Sequence, residues 1–476
     1  MTMAIYLHGR RAAARFRDVP SIAYRLALAA VEGIAAVSLN SPGDYDYGAG
    51  HALLKGAGGR LVNERGTEVT YTLEGRSHTH YCFGGDPNVV TELAARPWGN
   101  VYESGFGIAA PPVDLSPVSP VRLEPARLVH STAVLRRAQG CLLGQLAGDS
   151  LGALVEFQSA AAIARSYPDG GPKQLADGGP HRIMAGQATD DSELALLLAR
   201  SLVRKSGFDA NDVASLYASW YHGWLHHEGN VSCAHPGCRP FDIGGTTTQA
   251  LGPVKPHHVA EHRCAAICRS AASATSQANG ALMRVSPIGI WGWQRLPSEV
   301  DDVARADASL THPHPVCQAA SGIFAATIAH AVAEGGTSKE VYNWAVAWAQ
   351  ERGVPEPVMA VLEKAYTSPP GDYMNHAGWV LIALQNVFYQ LVNSAGAVEG
   401  VVRSVRSGGD TDTNGAICGA LLGAVYGREA WPEQWREMIL SCRPLDKVTP
   451  TQQPRPAAVW PADILQIAER LLNASA

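Results

Sequence analysis

The 476-residue chain has little charge: 17% of its residues are Asp, Glu, Lys or Arg, and the formal net charge is −5. That balance gives no global attraction to nucleic acid or to an anionic membrane surface. No uncharged apolar run is expected to reach the length of a membrane span, so no membrane partner is expected. Met1 to Arg17 carries scattered arginines and no long apolar stretch, so no secretory leader is expected there. Nine cysteines are present, with no C-x2-C pair and no framework of spacings. Reduced thiols in the cytoplasm suit that pattern better than disulfides. A repeat of fixed period is also missing.

What the chain has in quantity is apolar and small residues. Hydrophobic residues make up 46%, and there are 48 glycines. Abundant alanine and glycine favour close packing of helices. The length predicts two or three domains.

Residues 1–103 read as a small α/β lobe. Ser21 to Val31 has helical spacing, and Leu53, Leu54 and Ala57 suggest a second helix ended by Gly58-Gly59. Short strand-like pieces follow at Arg60–Val62 and Glu68–Tyr71. The run from Asp44 through Asp46, Gly48, Gly50 and Leu54 to Gly59 resembles the C-terminal lobe of the inositol monophosphatase family. There a strand-end Asp, a small-residue helix start and a Gly-Gly turn occur in this order, and Asp46 matches a metal-binding Asp. The upstream lobe with that family's other ligands has no counterpart here, and one Asp cannot build a multi-metal phosphatase site. The resemblance therefore implies a repurposed lobe, a docking or oligomerisation surface without phosphatase activity.

Residues 104–131 contain Pro111, Pro112, Pro117, Pro120 and Pro125 and read as a semi-rigid linker. Residues 132–476 read as all-α. Leu135–Ala147 is apolar or small on every side, as a buried helix is. Ser192–Val203, Gln318–Val332, Val341–Ala349, Val380–Val392 and Leu465–Leu472 continue the pattern. The fold class expected is mostly α, an all-helical domain preceded by a small α/β lobe.

Chemistry concentrates in two acidic clusters. Ser407 to Gly415 reads Ser-Gly-Gly-Asp-Thr-Asp-Thr-Asn-Gly, with Asp410 and Asp412 two apart beside the hydroxyls of Thr411 and Thr413. Dense hard oxygen donors suit Mg²⁺, Mn²⁺ or Ca²⁺. An Asp-rich helix cap that binds nothing has the same pattern. Thr189, Asp190 and Asp191 open the second cluster, ahead of the helix at Ser192. There Asp190 and Glu193 also have the spacing of a capping box. Gly140-x3-Gly144-x3-Gly148 leads through Asp149 to Glu156, a carboxylate among apolar neighbours, where a surface acid is the plainer reading. Asn279 and Gly280 precede Pro287-Ile288-Gly289 in a segment that could cradle a phosphate or be an ordinary loop.

Together these segments resemble the ADP-ribosylglycohydrolase family, which includes the dinitrogenase reductase-activating glycohydrolases. The matching motifs, in order, are Gly144 through Phe157, Thr189 to Ser192, Phe241 to Thr247, Asn279 through Gly289, Leu310 to Pro313, Gly378-Trp379-Val380, and Gly408 to Asn414. The resemblance spans about residues 134–428. It implies an all-α fold around two Mg²⁺ or Mn²⁺ ions, with Thr189, Asp190, Asp191, Asp410, Asp412 and Thr413 as ligands. It gives Glu156 a role in binding and activating ribose or water, with Asp191 next as base. Asn279, Gly280, His312 and Gly409 become substrate-binding positions, and a structural role for His312 stays open beside that. The activity implied is removal of ADP-ribose from a modified protein or small acceptor, with an arginine linkage expected. A second reading is an immunity-type protein whose residues 1–103 bind an ADP-ribosylating toxin or transferase.

Two clusters lie outside these motifs. Cys233, His235 and Cys238, with His222, His226 and His227 upstream, have irregular spacing for zinc and read better as a loop at the cleft mouth. Cys264 and Cys268 read as buried thiols on a helix.

Overall fold

The computed structural model describes residues 26–27, 29–30, 35–38, 44–63, 65–71, 82–95, 131–225, 239–444 and 453–474. The chain divides into two compact units, 1–111 and 112–476. The proline-dense segment lies outside the described residues.

The first unit holds a three-stranded antiparallel sheet of order β1-β3-β2. Its strands are β1 (Ala36–Ser38), β2 (Arg60–Asn63) and β3 (Cys82–Gly85). Helix α1 (Asp44–Gly56) precedes β2, and α2 (Pro87–Ala94) follows β3. The expected strand at 60–62 is β2. The piece at 68–71 contributes only a single bridge, Glu68 to Val62. β1, β3 and α2 were not anticipated, since β1 and β3 are three and four residues long and leave no alternation to read. Asp46 lies in the first turn of α1 rather than at a strand end. Leu26, Ala29, Leu54, Leu61, Val69 and Cys82 form this unit's own core.

The second unit is helical, as expected. The helices that build the site are α3 (Thr132–Gly152), α4 (Asp190–Lys205), α5 (Ala210–His222), α6 (Pro315–Glu334) and α7 (Thr411–Tyr426). Helix α6 is long and apolar enough by composition to cross a membrane, contrary to the expectation that no run was. But 83% of its apolar window is buried inside the protein, as in a core helix.

Helices α3 and α7 run antiparallel with their backbones touching. An added Cβ on Gly140, Gly144, Gly148 or Gly152 would lie 2.4, 2.2, 1.9 and 2.2 Å from the carbonyl oxygens of Gly423, Gly419, Gly415 and Thr411. The reverse holds for Gly415, Gly419 and Gly423, at 2.4, 1.9 and 2.0 Å from the oxygens of Gly148, Gly144 and Gly140. Two ridges of i, i+4 glycines thus interlock without side chains between them. Thr411 Oγ1 donates to Gly152 O at 2.7 Å and closes the end of the pair nearest the acidic clusters.

The C-terminal segment is tied back onto α4. Arg200 makes a two-pronged pair with Asp463 at 2.7 and 2.8 Å. Arg455 pairs with Glu193 at 2.8 and 2.6 Å.

Gly148→Ala should destabilise the protein by about 3 kcal/mol, because the methyl has only a backbone carbonyl to displace. Gly371→Ala, with open space around it, should stay within about 0.5 kcal/mol of the parent. Urea denaturation of both variants checks the pair.

Candidate active site

The first half of the site is assembled by Asp149, near the end of α3. Its carboxylate is fully buried. It accepts the Thr189 amide at 3.0 Å, the Ser192 amide at 3.1 Å and the Thr189 hydroxyl at 3.0 Å. Asp149 thus caps α4 from a different helix and fixes the turn that presents Asp190 and Asp191. This corrects the capping-box alternative, since Glu193 turns away to Arg455 and to Trp220 Nε1 at 2.5 Å. Thr189 is fully buried, its hydroxyl 3.1 Å from Asp191 Oδ2.

The second half is the start of α7. Gly409 has φ +77°, and a Cβ there would lie 1.9 Å from Tyr373 O. Only glycine fits that turn. Gly409 N donates to Gln158 O at 3.1 Å, and Phe157 N donates to Gly409 O at 2.8 Å. Gly409 thus links the turn before α7 to the segment after Glu156, and its place is in the scaffold rather than on the cleft wall. Asp410, Asp412 and Thr413 line the cleft with Asp190, Asp191 and Glu156. Asn279 Nδ2 donates to Asp410 Oδ2 at 2.7 Å, so this residue holds a carboxylate as well as lining the cleft.

Three residues the sequence reading passed over as site residues are Asp149, His181 and Asp242. His181 Nε2 lies 2.7 Å from Glu156 Oε2 and 3.5 Å from Asp242 Oδ2. The sequence did contain signals for two of them. Asp149 is a carboxylate inside a helix apolar on all sides, and Asp242 sits in a matched motif between Phe241 and a Gly-Gly pair.

Gly280 packs directly against His312, where a Cβ would lie 2.9 Å from the ring Cε1. His312 is buried, lines the cleft and pairs through Nδ1 with Thr311 Oγ1 at 2.8 Å. Burial, then the Arg284 guanidinium, pushes its pKa down to about 3, so the ring is neutral at neutral pH. Arg284 itself is fully buried, donating to Asp307 Oδ2 at 3.0 Å, to Thr311 Oγ1 at 2.9 Å and to Gly280 O at 3.2 Å.

The carboxylates crowd one another. Burial, then neighbouring charge, holds Asp190, Asp191 and Asp412 well above the usual range. Asp410 is also raised, by burial. Asp149 is pushed up to about 7 by burial, against the pull of its hydrogen bonds. Asp242 rises to about 6 by burial and then by repulsion from Glu156. Ligand oxygens of Glu156, Asp410 and Asp412 lie within 4.8 Å of one another. Asp191 Oδ1 is buried without a hydrogen-bond partner. The donor set is all oxygen, strongly anionic and in part unsatisfied, and it fits hard divalent cations.

Of the candidate zinc residues, Cys233, His235, Cys238, His226 and His227 lie outside the described residues. Cys264 and Cys268 are buried free thiols on the helix Cys264–Ala271.

Known proteins share this arrangement of sequence. A sequence profile described as ADP-ribosylglycohydrolase matches residues 130–475. The ADP-ribosyl-(dinitrogen reductase) glycohydrolase of Rhodospirillum rubrum is 30% identical over 301 residues, 63% of this chain and 88% of that protein. An ADP-ribosylarginine hydrolase, Tri1, from Pseudomonas putida (strain GB-1) is 26% identical over 336 residues, 71% and 83% of the two chains. A solved structure described as an ADP-ribosylglycohydrolase-related protein complex superposes with a TM-score of 0.55 at 25% identity, covering 73% of this chain and 100% of its own. The matched stretch contains both helix starts that carry the acidic residues and the glycine ridges that join them, and the chain belongs to the ADP-ribosylglycohydrolase family.

Proposed function

We propose that this hydrolase removes ADP-ribose from arginine side chains of a modified target, using two Mg²⁺ or Mn²⁺ ions. The observation that carries the reading is the convergence of two remote acidic helix starts on one cleft, with Glu156 beside them. Thr189, Asp190, Asp191, Asp410, Asp412 and Thr413 would hold the ions. Bound there, such ions supply positive charge that orients ribose hydroxyls and acidifies a water. Asp191, 1% exposed and with one unsatisfied oxygen, serves better as a ligand than as the base.

Glu156 takes the role of base. A water oxygen bonds to ribose C1″ as the C1″–N bond breaks, through an oxocarbenium-like transition state. The water proton passes to Glu156, which then gives it to the neutral guanidine that has left, so that guanidinium forms and the carboxylate is restored. Charge supports the arginine linkage: Glu156, Asp242 and the four other aspartates of the cleft lining outnumber the single imidazole of His181 beside them, so a cationic guanidinium is favoured over a neutral hydroxyl acceptor. The Asn279–Gly280 segment and neutral His312 would bind the pyrophosphate as uncharged donors. The cytoplasm is the compartment we assign, in keeping with seven described cysteines that are all buried and free. Residues 1–103 are assigned to recognition of the target or of an ADP-ribosylating toxin.

Incubation with arginine-, serine- and thymidine-linked ADP-ribose, with and without Mg²⁺, tests the reading. Release from the arginine conjugate in the presence of metal is expected; equal release from all three would remove the charge argument. Asp412→Ala and Asp190→Ala should each lower that release by at least about 100-fold while the fold persists by circular dichroism.

The protein should also melt higher with metal than with chelator, by mass action on the folded state. The gap should widen as pH rises from about 5 to about 7. A carboxyl with a raised folded pKa contributes stability that is lost as pH rises through that pKa, here about 6 for Asp242 and about 7 for Asp149. The metal-free protein therefore loses stability over this window, and cation charge offsets the loss. A gap that is flat or narrows with pH would refute the assignment.

Deleting residues 1–103 should leave hydrolysis of ADP-ribosyl-arginine within about twofold and raise KM on a protein target. Loss of small-substrate turnover in a well-folded truncation would overturn the assigned role.

A further inference from the structure

We infer that His181 is a positioning residue for Glu156, taking up one carboxylate oxygen so that the other alone faces the scissile bond. The inference rests on the reading of Glu156 as base.

The first support is the way His181 is mounted. It sits in a tight hairpin closed by Gly178 N to Ile183 O at 2.8 Å and Ile183 N to Gly178 O at 3.0 Å. Gly179, with φ +71°, presses on the residue just past α3, and a Cβ there would lie 2.2 Å from Ala153 O. The hairpin therefore seats directly on the chain three residues before Glu156. Asp177 Oδ1 accepts Ala185 N at 2.8 Å at the hairpin's base. Gln453 Nε2 donates to His181 O at 3.2 Å, and the ring rests against Phe241 with centroids 5.5 Å apart. The imidazole is thus anchored through its backbone and packed at a tilt against an aromatic ring. A hairpin that only connected α3 to α4 would not need such anchoring.

The second support is the contact. His181 Nε2 is 2.7 Å from Glu156 Oε2. An ionised carboxylate only accepts, so Nε2 carries the proton in that bond whatever the ring's charge. The Glu156 side chain is 3% exposed and that of His181 22%, so the imidazole covers the carboxylate on its outer side. The terminal torsion of Glu is broad and roughly two-fold, and a bond to one oxygen removes that freedom. Asp242 Oδ2 lies 3.5 Å from the same Nε2. Without His181, the two carboxylates would face each other with no donor between them, and repulsion would turn Glu156 off its line to C1″.

The test uses the full chain with Mg²⁺ and ADP-ribosyl-arginine, and compares His181→Ala, His181→Gln, Glu156→Gln and the double variant His181→Ala/Glu156→Gln. His181→Ala should lower kcat by about 10–100-fold, the range for removing the partner that orients a working group, with KM within about twofold. His181→Gln, whose Nε2 can donate from nearly the same place, should recover most of the rate at an unchanged melting temperature. The double variant should be no slower than Glu156→Gln alone, since a residue acting through Glu156 has nothing left to position. An unchanged kcat in His181→Ala, a stable His181→Gln as slow as His181→Ala, or a double variant slower by the full His181→Ala factor would each overturn the inference. Full activity in Glu156→Gln would instead remove the base assignment on which it rests. If His181→Ala fails to fold, a stable His181→Gln decides: a rate near the parent's supports the inference, and a rate reduced more than about tenfold overturns it.

Discussion

The hydrolase half depends on one contact, the backbone-to-backbone approach of α3 and α7. Interlocked glycines bring carbonyls within van der Waals reach across the interface along three turns. That distance sets everything at the end of the pair. Asp149 stands near the end of one helix with Glu156 in the turn just after it, Asp410 and Asp412 begin the other, and the Thr411 hydroxyl locks them at Gly152. A side chain in the seam would separate the carboxylates that line one cleft. The glycines are costly in chain entropy, and the return is a site built on two helices packed backbone to backbone.

The charge problem this creates is solved in layers. Asp149 is spent on backbone amides, where a helix N-terminus favours a negative group. Asn279 holds Asp410, and His181 bridges Glu156 toward Asp242. What is left is a set of buried oxygens whose protonation is favoured until something positive replaces the proton. Beneath them Arg284 is committed to Asp307 and Thr311 and reaches the cleft through the Gly280 carbonyl and through the Thr311 hydroxyl that pairs with His312. Burial, reinforced by the Arg284 charge, keeps His312 neutral, so the anionic pyrophosphate we place there would meet hydrogen-bond donors rather than a full charge.

Much of this was legible in the sequence, because the signals were local. The i, i+4 glycines on Gly140, Gly144 and Gly148, the Asp410–Thr413 run and the Thr189–Asp191 turn each announce themselves within a dozen residues. The helical domain followed from apolar segments such as α6 and Val380–Asn393, which admit no other reading. What stayed hidden is what depends on partners far along the chain. Asp149 looks like a stray acid until α4 is placed over it. Glu193 looks like part of a capping box until Arg455, 262 positions later, claims it. His181 carries no motif, and only the hairpin's seat on Ala153 reveals its neighbour. In the first unit the strands are too short for their period to show, and the resemblance of Asp46 to a phosphatase ligand meets a residue already inside a helix.

The Thr411–Gly152 contact joins residues 259 apart, and this shapes how the enzyme comes into being. Closing so long a loop has an entropic cost that no local contact offsets. Folding that depends on such distant pairing is slow relative to the formation of single helices. A nascent or truncated chain that stops before α7 holds Asp149, Glu156, Asp190 and Asp191 with nothing opposite them. The two acidic halves form one cleft only when α3 and α7 pair, and a cation that bridged them would stabilise the joined state by mass action.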